Sequence, residues 1–573
     1  KGEPVSYNRQ EVLDWINDDP DVNDAKYLEE LLTLAEDGDP GAAAELSDRF
    51  SGMLSFGTAG LRGQLGAGPN RMNRAVVIRA AAGLCAFLAE QLPDEFTVVV
   101  GHDARHGSKQ FAKDTASVVE GAGGHALLYD HALPTPLTAF ALRKLGADAG
   151  VVVTASHNPP ADNGYKVYLG GRAVSDWGQG AQIVTPYDGA ILEKIMAVPS
   201  AASVPRVGGW GILGDEMVAD YIDRLVQIVP AGPRDLKIVH TSMHGVGGQI
   251  ALRAFDATGF KDVTVVPEQH EPDPNFPTVS FPNPEEPGAL DLAMALARKV
   301  NADLILANDP DADRSSAAIP DPSSKTGWRQ LTGDEIGSLL GAQAAEELAE
   351  GMDEQGTNAE NPPAFANSIV SSRLLGKIAA ASGIAHQNTL TGFKWISRVP
   401  GLVYGYEEAI GFCVDPSYVR DKDGITASTK LAAFAADLKE QGRSLQDKLD
   451  ELALKFGLHA TAPLTIRVED LSLIAKGMEN LRKGGLDQLA GSPVVQFADL
   501  SKGYEDLPPT DALLYLTKDD DRVIVRPSGT EPKLKCYIEV IMPTNDGDVQ
   551  GARSAAADRL EVIRTDMRAA LGI

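Results

Sequence analysis

Short apolar runs that are each followed by a polar turn constrain the fold of this 573-residue chain more than any other feature. Four of these runs lie at 96–100, 149–153, 236–239 and 304–306. Helical patterns stand between them, and one predicted helix begins after the capping residue Asn73 and ends before Pro93. This alternation is typical of parallel βαβ units and predicts an α/β fold. Because ligands of open α/β sheets bind beyond the carboxyl ends of the strands, we expect a site in the polar turns.

The length predicts several domains, since a domain typically takes roughly 100–200 residues. Turn-rich stretches at 198–214, 320–333 and 457–463 mark candidate boundaries. We therefore expect four domains, at 1–213, 214–328, 329–458 and 459–573.

The charge balance excludes one class of partner. The chain has 52 Lys and Arg residues against 80 Asp and Glu residues, a formal net charge of −28. A polyanion such as nucleic acid is bound chiefly by clustered cations, so we expect no nucleic-acid partner. We also expect no membrane partner, because no apolar stretch has the length of a membrane span and the first residues lack a signal-peptide core. With three scattered cysteines and no disulfide framework, the predicted location is the cytoplasm.

An acidic loop follows the apolar run at 304–306. It reads Asn-Asp-Pro-Asp-Ala-Asp-Arg at 308–314, so that Asp309, Asp311 and Asp313 alternate along an extended segment. Three carboxylates this close favour a bound cation, and hard oxygen ligands suit Mg²⁺ or Ca²⁺. An EF-hand would need Gly and Glu where Arg314 and Pro320 stand, so that alternative fails. The remaining alternative is a solvated acidic turn.

A serine loop follows the apolar run at 149–153. It reads Thr-Ala-Ser-His-Asn-Pro-Pro at 154–160, and its Thr, His and Asn side chains can hydrogen-bond an anion beside the Ser156 hydroxyl. A simple turn stopped by two prolines is the alternative.

Three further loops carry polar groups. The segment Arg-Pro-Ser-Gly-Thr-Glu-Pro at 526–532 combines a guanidinium, two hydroxyls and a glycine, as a phosphate cradle requires. Adjacent glutamates in Gly-Tyr-Glu-Glu-Ala-Ile-Gly at 405–411 can accept hydrogen bonds from sugar hydroxyls. A glycine-rich turn at 56–63 carries Arg62. Ordinary turns and solvated surface are the alternatives for these loops.

Taken in order, these loops resemble those of the α-D-phosphohexomutase family, and the similarity extends from residue 56 to residue 532. The resemblance implies an α/β protein with three related mixed α/β domains and a C-terminal α+β domain around one central cleft. It assigns the four expected domains, in turn, to the phosphoserine (with an N-terminal extension), the metal, the sugar and the substrate phosphate.

The resemblance also implies roles for individual residues. Ser156 is expected to carry the phosphoryl group and, with Asp309, Asp311 and Asp313, to bind Mg²⁺. Further catalytic candidates match cations or donors of the family: Arg62, His157, Lys166 and Lys422. Either lysine could be the general acid or base. The implied substrate-binding residues are Arg314, Thr391, Gly392, Glu407, Ala409, Arg526, Ser528, Gly529 and Thr530.

The implied reaction interconverts a sugar 1-phosphate and 6-phosphate through the phosphoserine and a sugar 1,6-bisphosphate, which also serves as activator. Glucose phosphates are the expected substrate, with mannose phosphates as a further one. Ala409 stands where better-known branches have serine, and the Glu-Glu-Ala-Ile-Gly form is more like the branch that includes phosphopentomutases, so pentose phosphates are the alternative.

An alternative from another enzyme class is a sugar-phosphate phosphatase that uses Asp309 and Asp311, although its pattern expects Thr or Val where Asp313 stands. The only partner expected is a small phosphosugar, and the expected assembly is a monomer or homodimer.

Overall fold

The computed structural model describes residues 6–528 and 532–572. They form two compact units. The first unit contains residues 6–331 and 411–437, and the second contains residues 332–410 and 438–572. Among the helices of these described residues, none is both long and apolar enough to cross a membrane.

Three helices open the first unit: α1 (Arg9–Asp18), α2 (Val22–Glu36) and α3 (Pro40–Arg49). Each begins where a side-chain oxygen of Asn8, Asp21 or Asp39 accepts backbone N–H groups of the first turn. Val12, Leu28 and Leu46 are fully buried in a small core of these helices.

The first sheet follows in the same unit. Its strands are β1 (Phe56–Gly57), β2 (Gly60–Gln64), β3 (Thr97–His102), β4 (His125–Tyr129), β5 (Ala149–Val153), β6 (Asp162–Leu169), β7 (Ala181–Gln182) and β8 (Gly211–Leu213). They lie in the order β1-β2-β6-β5-β3-β4-β8, with β7 beside β6. Strands β5, β3, β4 and β8 are parallel, and β6 runs antiparallel to β5. The loops after β3 and β5 therefore leave the sheet at the same edge.

Helices of this part are α4 (Arg74–Gln91), α5 (Ser108–Gly121), α6 (Thr135–Leu145), α7 (Tyr187–Met196) and α8 (Asp215–Ile228). The predicted helix after Asn73 is confirmed as α4, whose first turn is capped when Val76 N–H donates to the Asn73 side chain. Apolar residues of α4 and α5 pack with those of β3 and β5 in one core.

A second sheet of the first unit contains β9 (Ile238–Thr241), β10 (Val263–Val265), β11 (Leu304–Asn308), β12 (Ser315–Pro320) and β13 (Trp328–Gln330). Its order is β10-β9-β11-β12-β13, and β10, β9 and β11 are parallel. Its helices are α9 (Gly247–Ala257), α10 (Pro267–His270) and α11 (Asp291–Val300). The acidic loop leaves β11 at its carboxyl end, as the sequence predicts.

The second unit begins with α12 (Gly333–Ala349), β14 (Ala364–Ser368), α13 (Leu374–Ala381), β15 (Ala385–Thr389), α14 (Phe393–Ile396) and β16 (Leu402–Glu407). Strands β15, β14 and β16 are parallel. The chain then contributes β17 (Gly411–Cys413) and most of α15 (Gly424–Glu440) to the first unit.

The rest of the second unit is an antiparallel sheet with helices. Its strands are β18 (Leu458–Arg467), β19 (Gln488–Leu489), β20 (Ser492–Asp499), β21 (Leu513–Thr517), β22 (Arg522–Pro527) and β23 (Lys533–Met542), in the order β18-β23-β22-β21-β20-β19. The helices are α16 (Leu445–Phe456), α17 (Leu471–Gly484), a 3₁₀ turn at Leu500–Lys502 and α18 (Val549–Leu571).

A buried ion pair holds the returning segment 411–437 in the first unit. Arg224 on α8 donates from Nε to Asp415 Oδ2 at 2.9 Å and from Nη2 to Asp415 Oδ1 at 2.8 Å. The guanidinium also lies 4.2 Å from the centre of the Tyr418 ring. Since Lys422 lies in this segment, the pair fixes the backbone that presents a candidate catalytic side chain.

Replacing Asp415 with alanine is expected to lower the free energy of unfolding of the first unit by about 3–5 kcal/mol, because the buried Arg224 charge loses this carboxylate. Urea denaturation followed by circular dichroism measures the change. The control is Asp215→Ala, which breaks an exposed pair with Arg253 and should cost less than about 1 kcal/mol. Equal losses in the two variants would contradict the expectation.

Candidate functional site

The serine loop holds Ser156 in an uncommon backbone conformation directly after β5. Ser156 has φ 53°, in the left-handed region, and its side chain is buried. Its N–H donates to Thr154 Oγ1 at 2.9 Å, and Thr154 Oγ1 donates to Asp103 Oδ2 at 2.6 Å. A non-glycine residue at positive φ persists only where its surroundings enforce it. The loop is therefore built to hold the Ser156 hydroxyl in one place.

Arg105 fixes the same loop through its backbone. Its Nη2 donates to the carbonyls of Ser156 at 2.7 Å and Asn158 at 2.6 Å. Its Nη1 donates to the carbonyls of Pro159 at 2.9 Å and Asp162 at 3.2 Å. A guanidinium presents several donors in one plane, which a lysine cannot do. Sequence analysis missed this role, although Arg105 stands in the Gly-His-Asp-Ala-Arg turn that ends a predicted strand.

The acidic loop brings its carboxylates together with the serine. Asp309, Asp311 and Asp313 are each 0% exposed, and one carboxylate oxygen of each lies within 4.8 Å of the others. Ser156 Oγ donates to Asp309 Oδ2 at 2.9 Å. Full burial excludes a solvated acidic turn. The structure thus unites the two loops that the sequence singles out separately.

Two lysines contact the carboxylates. Lys166 on β6 donates from Nζ to Asp311 Oδ2 and Asp313 Oδ2, each at 2.8 Å. Lys422 Nζ lies 3.4 Å from Asp313 Oδ2. Thr135, at the start of α6, donates from Oγ1 to Asp311 Oδ2 at 2.6 Å and was also missed by sequence analysis. Each contact partly offsets the cost of burying charge.

The protonation pattern follows from burial and these partners. Burial and the charges of Asp311 and Asp313 raise the pKa of Asp309 well above its ordinary value. Burial acts in the same direction on Asp311, but Lys166 and the hydrogen bonds with Thr135 and Asp309 together lower the pKa of Asp311 overall. Burial would lower the pKa of Lys166, and Asp311 and Asp313 raise it instead.

The cluster fits a divalent cation. Oδ1 of Asp311 and Oδ1 of Asp313 are buried and have no hydrogen-bond partner among the described residues. Buried carboxylate oxygens normally find a partner, and hard oxygen donors are the ligands that Mg²⁺ takes. Asp309, Asp311 and Asp313 can therefore hold such an ion beside the Ser156 hydroxyl.

Other catalytic candidates surround the serine. His157 Nδ1 lies 3.4 Å from Ser156 Oγ, and burial together with the charges of Arg314 and Arg62 lowers the pKa of His157 to about 2. Its ring is thus neutral near pH 7. Arg62 Nη1 donates to Asn158 Oδ1 at 3.4 Å, and the Arg314 N–H donates to Asp309 Oδ1 at 3.1 Å.

The other substrate-binding candidates lie in the second unit. Arg526 Nη1 donates to Thr391 Oγ1 at 2.6 Å, so residues 135 positions apart meet. The neighbouring Gly392 has φ 112°, which favours glycine. The Ser528 N–H donates to the Lys533 carbonyl at 2.9 Å. The candidates Gly529 and Thr530 lie outside the described residues.

The glutamate pair of the second unit is asymmetric. Glu407 is 6% exposed at the end of β16, and Ala409 is half-buried. Ser371 Oγ donates to Glu408 Oε2 at 2.6 Å. Burial, with the charge of Glu407, raises the pKa of Glu408 to about 7, and the Ser371 hydrogen bond only partly opposes this shift.

Family models match four segments that together cover most of the chain. Those described as "Phosphoglucomutase/phosphomannomutase, alpha/beta/alpha domain" I, II and III match residues 53–190, 219–322 and 332–456. The model of the C-terminal domain matches residues 474–543. These matches confirm the predicted α/β fold class with four domains.

Individual proteins are similar over most of their length. A Haemophilus influenzae protein named "Probable phosphomannomutase" is 42% identical over 82% of this chain and 93% of its own. The Saccharomyces cerevisiae phosphoribomutase is 36% identical over 92% of this chain and 91% of its own. The structure of parafusin (phosphoglucomutase) from Paramecium has a TM-score of 0.68 at 18% identity, covering 91% of this chain and 96% of that chain, and shows the fold.

Replacing Arg105 with lysine is expected to lower the free energy of unfolding by about 2–4 kcal/mol and to speed amide exchange in residues 154–162, because buried carbonyls lose their donor. Chemical denaturation and hydrogen exchange measure the two effects. The control is Arg298→Lys, which changes one exposed hydrogen bond to the Thr326 carbonyl and should cost less than about 1 kcal/mol. Unchanged exchange in the serine loop would contradict the role given to Arg105.

The raised pKa of Glu408 predicts that the stability of the second unit depends on pH. Its folded pKa, about 7, exceeds the ordinary 4.5, so the folded state binds its proton more tightly than the unfolded state. The stability that this proton confers is complete below the ordinary pKa and is lost as pH rises through about 7. Glu408→Gln should remove that component from the free energy of unfolding measured across this range, whereas Glu440→Gln, at an exposed position, should retain it. The same pH slope in wild type and Glu408→Gln would refute the prediction.

Proposed function

Because the chain belongs to the phosphoglucomutase/phosphomannomutase family, and is thereby an intramolecular phosphotransferase, we propose that it interconverts hexose 1-phosphate and 6-phosphate. Glucose phosphates are the favoured substrate, and mannose phosphates are a further one. The observation that carries the proposal is the 2.9 Å contact between the Ser156 hydroxyl and Asp309 in a buried carboxylate cluster.

Ser156 is the proposed phosphoryl carrier. Its loop is fixed by Arg105 and Thr154, so the hydroxyl needs little reorganisation to meet a sugar phosphate. The proposed ligands of Mg²⁺ are Ser156, Asp309, Asp311 and Asp313. When bound there, the ion supplies charge neutralisation, on which phosphoryl transfer depends more than on covalent chemistry.

Cationic and neutral donors complete the proposed catalytic group. Arg62 and Arg314 neutralise the charge of the transferred group, and the neutral His157 ring offers a hydrogen bond. Lys166 and Lys422 are both candidates for the general acid or base that serves the sugar hydroxyl.

The second unit supplies the proposed sugar contacts and the contacts to the second phosphate. Glu407 accepts hydrogen bonds from ring hydroxyls, and a carboxylate acceptor makes that contact strong. Thr391, Gly392 and Ala409 are also proposed to contact the sugar. Arg526 and Ser528 begin the proposed clamp for the phosphate that does not react, which Gly529 and Thr530 complete. A sugar 1,6-bisphosphate is the proposed intermediate and activator, since it can phosphorylate Ser156.

Pentose phosphates are the alternative substrates. Two observations favour them: Ala409 offers no hydroxyl to a hexose, and one similar protein carries the name phosphoribomutase. Three further statements stay predictions: the protein is a monomer or homodimer, it is located in the cytoplasm, and it binds no nucleic acid.

The test is a coupled assay of purified enzyme with glucose 1-phosphate, mannose 1-phosphate and ribose 1-phosphate, in the presence of Mg²⁺ and a sugar 1,6-bisphosphate. Ser156→Ala should lower kcat by at least about 10³-fold and remove the phosphate detected by intact mass, because no other hydroxyl replaces the nucleophile. The control is Ser338→Ala, which removes a buried hydroxyl from α12 in the second unit and should leave turnover unchanged.

Each other outcome contradicts a defined part of the proposal. Substantial turnover by Ser156→Ala contradicts the phosphoserine. The highest kcat/KM on ribose 1-phosphate selects the pentose alternative. Release of inorganic phosphate without formation of the isomer indicates the phosphatase.

A further inference from the structure

We propose that Tyr168 and Asp421 form a buried pair that positions the Lys422 ammonium beside the carboxylate cluster, and that turnover depends on this positioning. The inference rests on the proposed function, because Lys422 matters there as a catalytic candidate. Neither Tyr168 nor Asp421 is among the residues that the sequence motifs single out for a role.

The pair is a closed hydrogen-bonded arrangement. Tyr168 and Asp421 are both 0% exposed, and the Tyr168 hydroxyl donates to Asp421 Oδ2. Gln182 Nε2 donates to the same oxygen at 3.1 Å. The other oxygen, Asp421 Oδ1, accepts from the Lys422 backbone N–H at 2.8 Å and lies 3.4 Å from Lys422 Nζ. Both carboxylate oxygens are thus held, and one of them faces the lysine.

The hydroxyl of Tyr168 acts as a donor in this arrangement. Burial raises the pKa of Tyr168 well above its ordinary value, and the charge of Asp421 raises it further. A protonated hydroxyl can donate to a carboxylate, and a hydrogen bond to a charged group is stronger than one between neutral groups. Tyr168 therefore fixes the carboxylate that faces Lys422.

The Lys422 ammonium lies between two carboxylates. Its Nζ is 3.4 Å from Asp313 Oδ2 and 3.4 Å from Asp421 Oδ1. Lys166, in contrast, donates to Asp311 and Asp313 at 2.8 Å each. A lysine has a flexible four-carbon stem, so its ammonium is positioned only as well as its contacts restrict it. Asp421 supplies one of these contacts, beside the contact from Asp313.

Strand β6 contains both Lys166 and Tyr168, the residue proposed to position Lys422. Side chains of a strand alternate between its faces, so Lys166 and Tyr168 share one face and Tyr165 points to the other. Lys166 contacts the metal-binding candidates directly, and Tyr168 acts through Asp421 on Lys422. Tyr165 is equally buried, but its hydroxyl meets Thr115 Oγ1 at 2.9 Å. The strand thus contains a matched tyrosine that has no contact with Asp421 or Lys422 among the described hydrogen bonds.

The experiment compares Tyr168→Phe with Tyr165→Phe in the coupled assay with glucose 1-phosphate. Tyr168→Phe should lower kcat about tenfold, as the loss of one hydrogen bond to a charged group implies. KM and the Mg²⁺ concentration for half-maximal activity should stay within about twofold, because no substrate or metal ligand is removed. Tyr165→Phe should change kcat by less than about twofold.

A double-mutant cycle shows whether the effect acts through the lysine. In a Lys422→Met background, Tyr168→Phe should have no further effect on kcat. If Tyr168→Phe does not fold by circular dichroism, Asp421→Asn gives the same comparison, with a decrease in kcat expected in the wild-type background and none in the Lys422→Met background.

The outcomes separate this inference from the proposed function. A wild-type enzyme without mutase activity contradicts the proposed function itself. An active wild type combined with undiminished kcat in Tyr168→Phe overturns the positioning role alone. The positioning role is also overturned if Tyr168→Phe lowers kcat equally in the wild-type and Lys422→Met backgrounds, or if it shifts the Mg²⁺ concentration for half-maximal activity. In those cases the tyrosine acts through the carboxylate cluster or the fold.

Discussion

Asp309, Asp311 and Asp313 are fully buried, and the contacts of the candidate site follow from that burial. Three carboxylates removed from water are costly unless cations and hydrogen bonds compensate. Lys166 contacts two of them, while Thr135, Ser156 and the Arg314 N–H donate to Asp311 or Asp309. Two oxygens still have no partner among the described residues, which is the arrangement that a metal ion completes.

The groups that compensate the buried carboxylates come from several separate elements. The serine loop follows β5, the acidic loop follows β11, Thr135 begins α6, and Lys166 lies on β6. The serine and acidic loops each leave the carboxyl end of a parallel strand, β5 in the first sheet and β11 in the second, and the hydrogen bond from Ser156 to Asp309 joins them. Arg105 and the Arg224–Asp415 pair have a structural part: Arg105 binds backbone carbonyls of the serine loop, and the ion pair anchors the segment 411–437. They supply the rigidity that a pre-organised phosphoryl-transfer site needs.

The second unit uses a different arrangement for its polar groups. Arg526 donates to the Thr391 hydroxyl, and the Ser371 hydroxyl donates to Glu408, so one guanidinium and one carboxyl are each bound to a hydroxyl. Nearby, Arg373 and Glu539 form an ion pair in which the Glu539 carboxylate is almost fully buried. Side chains held this way lose little freedom on binding a ligand. Such pre-positioned side chains are compatible with the binding role proposed for this unit.

The α/β class, the helix after Asn73 and the loops that contain the candidate residues can be predicted from the amino-acid sequence. These features depend on local patterns: apolar strands, capping side chains and polar turns. Strand limits differ from these patterns, since the run predicted at 236–239 forms β9 two residues later, from Ile238 to Thr241. The roles expected for Ser156 and the aspartates come from the resemblance to a family.

Which side chains meet depends on the packing of distant parts of the chain. Ser156 and Asp309 are 153 positions apart, Thr135 and Asp311 are 176 apart, and Tyr168 and Asp421 are 253 apart. No local pattern records such contacts, because they arise when separate strands and helices pack against one another. Burial likewise follows from packing, and burial is what makes the acidic turn a candidate cation site.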